Sequence, residues 1–210
     1  MNKAFVISCK ESNYVIDCVK SIREHHRYSS IFIVDSCSND KSYFSEVSQY
    51  GAIVLDASNK NYEYGAYLYW HKLYGNNYDS YIFMQDSIVL NQPIVEIDNV
   101  TDDNVMVFSQ NRTGWDTGLM HRDYWYNLNP NFPVNDGKSM LMTIWNSFII
   151  TKNTFNKIVQ SDIFNMSIPP HNKILSCAWE RVWSIIFYEN QISISSIKDG
   201  QITKIFGNRQ

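Results

Sequence analysis

The stretch Tyr78-Asp-Ser-Tyr81-Ile-Phe-Met84-Gln85-Asp86-Ser87-Ile88-Val-Leu90-Asn-Gln-Pro93 decides how the chain is read. Tyr81 to Met84 form an unbroken apolar and aromatic run, short enough for one strand buried on both faces. Three polar residues, Gln85, Asp86 and Ser87, follow directly. Ile88 to Leu90 come next, and Pro93 interrupts further pairing. A buried strand that carries a carboxylate to the carboxyl-terminal edge of a sheet is how an open α/β protein presents a ligand-binding group. Asp followed by Ser also makes turns, so this segment alone leaves both readings open.

Upstream, Ala4 to Ile7 read as a first strand ending in Ser8, Cys9, Lys10 and Glu11. Val15, Ile16, Val19 and Ile22 recur at helical spacing, with Ser12 or Asn13 placed to cap the start. This helix ends near His25 and His26, which suit a solvated last turn favoured by the helix dipole. Ile31 to Val34 form a second strand, and the polar loop Asp35 to Asp40 follows it. A short helix over Ser42 to Gln49 leads to a third strand, Ala52 to Leu55, that ends at Asp56. Such alternation implies a parallel sheet with right-handed crossovers. Ser8, Asp35 and Asp56 then share one edge with Asp86. A helix entered near Gly65 precedes the decisive stretch, and its N-terminus suits an anion. Gly65 permits close approach either of a ligand or of the packed sheet. The Tyr and Trp stripe of that helix reads as core.

Downstream the alternation stops. Val105 to Phe108 are a further strand, while Ser109 to Lys138 are polar and aromatic, a composition suited to specificity loops. Leu141 to Ile150 suit strand structure broken at Trp145-Asn-Ser147. Thr151 or Asn153 caps a helix through Val159, and Pro169-Pro170 mark a break. Lys173 to Tyr188 are helical, Ile192 to Ile197 an edge strand, and the segment after Gly200 carries no signal. The expected architecture is α/β: a mostly parallel, Rossmann-like central sheet with helices on both faces in a single compact domain. Residues 1–100 and residues 101–210 are two halves of that domain.

The chain has 210 residues, 44% of them hydrophobic and 19% charged, ordinary for a globular core. A formal net charge of -3 without a Lys/Arg cluster excludes a nucleic-acid-binding field. Four separated cysteines give no zinc motif and fit a reducing compartment. The apolar run at the N-terminus is too short for a signal peptide, and no long apolar span follows, so a cytoplasmic location is expected. No dinucleotide fingerprint, P-loop or nucleophile elbow occurs.

Four segments carry a family resemblance: Phe5-Val-Ile-Ser8-Cys-Lys-Glu11; Ile31-Phe-Ile-Val-Asp35-Ser-Cys-Ser-Asn-Asp40; the helix with Tyr64-Gly65-Ala66 followed by Gln85-Asp86-Ser87; and Trp145-Asn-Ser-Phe148 with Trp179-Glu180-Arg181-Val-Trp183. Together they resemble GT-A-fold glycosyltransferases, which move a sugar from a nucleoside diphosphate to an acceptor. The whole is also similar to the N-terminal glycosyltransferase domain of large algal (chlorella) viruses that glycosylates the capsid protein. Gln85-Asp86-Ser87 stands where relatives carry an acidic motif of two or three carboxylates, a departure that bears on metal dependence.

The resemblance implies a UDP-sugar donor and a glycan or glycoprotein acceptor, a viral capsid protein included, with host cytoplasm as the location in that case. It implies Mn²⁺ or Mg²⁺ at Asp86, neutralising the leaving diphosphate. Nucleotide-sugar contacts fall to Ser8, Asp35, Gly65, Gln85, Asp86 and Ser87. An inverting transfer needs a general base, for which Glu180 is the candidate, its pKa raised by partial burial. Glu180 also reads as an ion-pair partner of Arg181 or a solvated helix position. Asp116, Asp123 and Asp136 are reserve carboxylates, His171 a further metal ligand, and Trp115, Tyr124 and Trp125 sugar-stacking residues. A sugar nucleotidyltransferase and a non-catalytic carbohydrate-binding module remain as alternatives.

Overall fold

The computed structural model describes residues 2–11, 14–58, 61–108 and 141–205. Seven strands form the central sheet: β1 (Lys3–Cys9), β2 (Ser30–Asp35), β3 (Ala52–Asp56), β4 (Ser80–Gln85), β6 (Asn104–Val107), β7 (Phe148–Thr151) and β8 (Ser193–Ser196). Their order across the sheet is β3-β2-β1-β4-β7-β6-β8. Two more, β5 (Ile88–Leu90) and β9 (Ile202–Lys204), pair antiparallel in a separate ribbon. The helices are α1 (Tyr14–His25), α2 (Tyr43–Gln49), α3 (Tyr62–Tyr74), α4 (Lys152–Val159), α5 (Asp162–Met166) and α6 (Lys173–Glu189).

Strand periodicity separates two cores. Along β4 all six residues are buried, and successive side chains point to opposite faces. Tyr81 and Phe83 join Ala4, Val6, Trp70, Phe148 and Trp183 on one face. Ile82 and Met84 join Phe5, Ile7, Val19 and Ile33 on the other. Helices α1 and α2 cover the second face, and α3 to α6 the first. The aromatic stripe of α3 is core: the Tyr67 ring stacks on Phe83 with centroids 4.3 Å apart, and Trp70 meets Tyr81 edge-on at 5.0 Å. Burial of each such side chain contributes roughly 1.5–3 kcal/mol.

Strands β1 to β4 are parallel in the order 3-2-1-4, so the chain winds away from β1 in both directions. In open α/β sheets such a reversal is where ligands bind, here at the carboxyl ends of β1 and β4. Strand β7 runs against β4, pairing Phe83 with Phe148. Its reversed direction brings the preceding 143–147 turn to the same carboxyl-terminal edge. Trp145 (φ 59°) and Asn146 (φ 50°) are left-handed there, which stops strand pairing at the expected break and starts β7 at Phe148. Thr151 caps α4, its hydroxyl accepting from the Thr154 amide at 3.2 Å.

Two local expectations change. His26 is not solvated: its ring lies 5.1 Å from Phe5, its Nε2 accepts the Ile94 amide, and burial lowers its pKa to about 4. Ile202–Lys204, in the segment after Gly200 that carries no signal in the sequence, form β9. The expected caps of α1, Ser12 and Asn13, lie outside the described residues.

Candidate active site

Backbone pairing assembles the edge. Ser8 is in register with Gln85, and Cys9 with Asp35. Beyond the ladder, the Asp86 amide donates to the Ser8 carbonyl at 3.1 Å and the Ser36 amide to Cys9 at 2.8 Å. Asp86 and Ser87 then turn the chain into β5, so Asp86 is both a turn residue and an edge carboxylate. It is only 2% exposed. Beneath the turn lies Cys18 of α1, whose thiol is pushed up by burial and by Asp86, while Lys204 acts in the opposite sense.

Asp35 reaches the expected edge, but its carboxylate is turned inward and buried. Oδ1 accepts from the Tyr43 hydroxyl at 2.5 Å and from the Ser38 hydroxyl, and Oδ2 accepts the Ser38 amide at 3.1 Å. These bonds shape the 35–38 loop, in which Cys37 is left-handed (φ 63°). Asp56 also ends its strand at this edge, exposed and paired with Lys41.

Helix α3 begins three residues before Gly65. The Gly65 amide donates to the Asn61 carbonyl at 3.1 Å, so Gly65 sits inside the first turn and its amide is already engaged. The unbonded amides of the helix start belong to the residues before it. Among these, Glu63 is buried and central. Its carboxylate accepts from Gln85 Nε2 at 2.6 Å, Ser176 Oγ at 3.1 Å and Asn146 Nδ2 at 3.5 Å. One carboxylate thereby joins α3, β4, the 143–147 turn and α6.

Glu180 faces the same turn from α6. Its Oε1 accepts the Trp145 amide at 3.0 Å, and its Oε2 lies 3.9 Å from Arg181. Burial raises its pKa to about 6 against the pull of Arg181 and the Trp145 amide, with Glu63 adding to the rise. The Arg181 pairing foreseen for it is therefore present, and burial outweighs it. The other side of Trp145 meets Lys204, whose ammonium lies 5.7 Å from the ring centroid. Lys204 Nζ donates to Gln85 Oε1 at 2.5 Å and to Ser87 Oγ. Gln85, Asp86, Ser87, Lys204, Trp145 and Glu180 thus form one connected set.

This set does not suit a divalent cation. Oxygen-seeking ions need several anionic or carbonyl donors, and here a single carboxylate is flanked by an amide and a hydroxyl. A lysine ammonium already bonds both flanking side chains. Two unit positive charges about 4 Å apart repel by roughly 4 kcal/mol at an effective dielectric near 20, and a dication doubles this. Among the described residues no group of three His, Cys, Asp or Glu side chains converges to hold a metal. His171 is exposed in the loop before α6. Asp116, Asp123, Asp136, Trp115, Tyr124 and Trp125 lie outside the described residues.

Glu63, Asn146 and Lys204 were missed by sequence reasoning. Glu63 had a faint signal, an acidic residue in the first turn of an aromatic helix. Lys204 had none, since Ile202-Thr-Lys-Ile205 does not alternate. An open groove of about 740 Å³ lined by Lys3, His26, Arg27 and Tyr78 lies at the amino-terminal end of the strands, away from all these groups.

No family model matches the chain, and no curated protein does. Solved structures do. A mycobacterial protein superposes with a TM-score of 0.59 at 14% identity, covering 99% of this chain and 68% of its own. A cytidylyltransferase from Leptospira borgpetersenii gives 0.55 at 11%, covering 96% and 77%. The WbbM bifunctional glycosyltransferase gives 0.53 at 13%, covering 93% of this chain and only 38% of its own. The fold is GT-A-like. No helix among the described residues is long and apolar enough to cross a membrane.

Proposed function

We propose that the chain transfers a sugar from a nucleoside diphosphate, UDP first among candidates, to a hydroxyl of an acceptor. The observation that carries this reading is a pair of carboxylates at the reversal point of the sheet, linked through Lys204, which joins the 85–87 turn to the ring of Trp145, whose amide Glu180 holds. Asp86 stands at the strand end, and Glu180 has its pKa held up to about 6. A group titrating there accepts a proton near neutral pH.

In the proposed step the acceptor oxygen attacks the anomeric carbon and gives its proton to Glu180. The bond from that carbon to the diphosphate breaks, and its electron pair leaves with the phosphate oxygen. This geometry inverts the anomeric centre. Asp86 and Gln85 would contact the donor, with Gln85 oriented by Glu63. Ser8 and the loop held by Asp35 would meet the nucleoside, and the start of α3 before Gly65 would support the phosphates. Residues 1–100 then bind the donor, while residues 101–210 bring Glu180 and the acceptor side. The acceptor class, a glycan or glycoprotein including a viral capsid protein, rests on the sequence resemblance alone.

UDP release from UDP-sugars, followed without added acceptor, tests this reading together with thermal shifts in UDP, GDP and CTP. Stabilisation by a nucleoside diphosphate and slow UDP release support it. The likeness to a cytidylyltransferase favours one second reading, sugar nucleotidyl transfer. That reading predicts pyrophosphate release from CTP or UTP with a sugar phosphate and no hydrolysis of UDP-sugars. A response to free sugar alone would instead mark a binding module.

A further inference from the structure

We propose that Lys204 supplies the positive charge that receives the donor diphosphate, in place of a divalent metal ion. The inference rests on the transferase reading above and assigns the cation of that same site. Its starting point is where the fold puts the last described strand. Strand β9 pairs Lys204 with Ile88, and the Ile205 amide donates to the Ser87 carbonyl at 2.9 Å. A backbone ladder thus delivers the lysine to the turn that carries Asp86. The ammonium then bonds Gln85 Oε1 and Ser87 Oγ, the side chains on either side of Asp86. On its far side lies the Trp145 ring, whose own amide is held by Glu180. The cation therefore sits between the carboxylate on the strand end and the candidate base, where negative charge must develop on a departing diphosphate.

Charge counting agrees. Gln85-Asp86-Ser87 brings one negative charge and Lys204 one positive charge, so the lysine already balances the carboxylate that a dication would otherwise neutralise. Lysine binds phosphate oxygens as a point charge. During transfer the electron pair of the breaking bond settles on the diphosphate. Lys204 stabilises it by charge and hydrogen bonding and keeps its own protons. The proton of the acceptor goes to Glu180. No other reactant is needed. A purely structural lysine, holding β9 to the 85–87 turn, is the competing account, and it makes no claim about metal dependence.

The test is calorimetric titration of UDP into the full chain, in EDTA and again in Mn²⁺, for wild type, Lys204→Gln and Lys204→Arg. Circular dichroism and urea midpoints verify that each variant is folded. Wild type is expected to bind UDP in EDTA about as tightly as in Mn²⁺. Lys204→Gln should lose roughly ten-fold or more in both buffers, the loss of one charge-assisted contact, and Lys204→Arg should recover part of it. Should Lys204→Gln not fold, the wild-type comparison of the two buffers decides alone. Wild-type binding that vanishes in EDTA and returns with Mn²⁺ overturns the role of Lys204 and leaves the transferase reading standing. So does undiminished binding by folded Lys204→Gln. Absence of UDP binding in both buffers overturns both readings.

Discussion

Replacing Glu180 by Gln separates what the residue costs the fold from what it does for the chemistry. In the folded chain its pKa is raised from 4.5 to about 6, mainly by burial. A raised carboxylate favours folding fully only below its unfolded pKa, and that advantage is lost as pH rises through about 6. The difference of about 1.5 units corresponds to roughly 2 kcal/mol at pH 8 and only a few tenths at pH 4. Gln keeps an oxygen to accept the Trp145 amide and carries no charge to desolvate. Glu180→Gln should therefore be more stable than wild type by about 2 kcal/mol at pH 8, or roughly 4–8 °C in Tm, and nearly equal at pH 4. Urea denaturation across that pH range measures it. If Glu180 acts as general base, the same variant should lose about 10²–10⁴ in sugar-transfer rate, and wild-type activity should rise with pH through about 6. A stability gain that is absent at pH 8, or equal at every pH, would refute the account of a desolvated carboxylate.

Removing the Glu63 carboxylate should be destabilising, because Gln85 and Ser176 would lose a buried acceptor at 2.6 and 3.1 Å. Glu63→Ala is expected to cost roughly 2–4 kcal/mol in urea unfolding. Thr151→Ala removes the α4 cap and the hydroxyl that bonds Asp102 at 2.5 Å. A loss of about 1–2 kcal/mol follows. Asp102 is held below its usual pKa by Thr151 and Asn153. Its contribution is present above about pH 4 and fades in acid, so the Thr151→Ala deficit should shrink on acidification. A carboxylate that meets the sugar of the donor rather than its diphosphate is one whose loss, in Asp86→Asn, should weaken binding of an intact UDP-sugar more than binding of UDP. Equal losses for the two ligands, measured by titration, would remove that assignment.

Much of the first half was legible because its signals are local. Four apolar runs ending in polar residues are the four parallel strands, and Val15, Val19 and Ile22 mark the buried stripe of α1. Thr151 was readable as a cap from its position before a periodic segment. Gly65 misled about where α3 begins: a glycine looked like a helix entry, but the chain starts the helix at Tyr62 in a left-handed conformation (φ 53°).

From its order of residues alone, the chain determined an α/β sheet with carboxylates delivered to one edge, since strand and helix periods are written in neighbouring side chains. Only the folded arrangement decided which groups meet there. Lys204 and Gln85 are 119 positions apart, and Ser176 and Glu63 are 113 apart. Such pairings leave no periodic trace. They exist because β7 runs backwards into the sheet and β9 pairs with β5. The same arrangement turned Asp35 inward, raised the pKa of Glu180, and set an ammonium beside Asp86. Charge and burial at a site are properties of enclosure, which no single segment possesses.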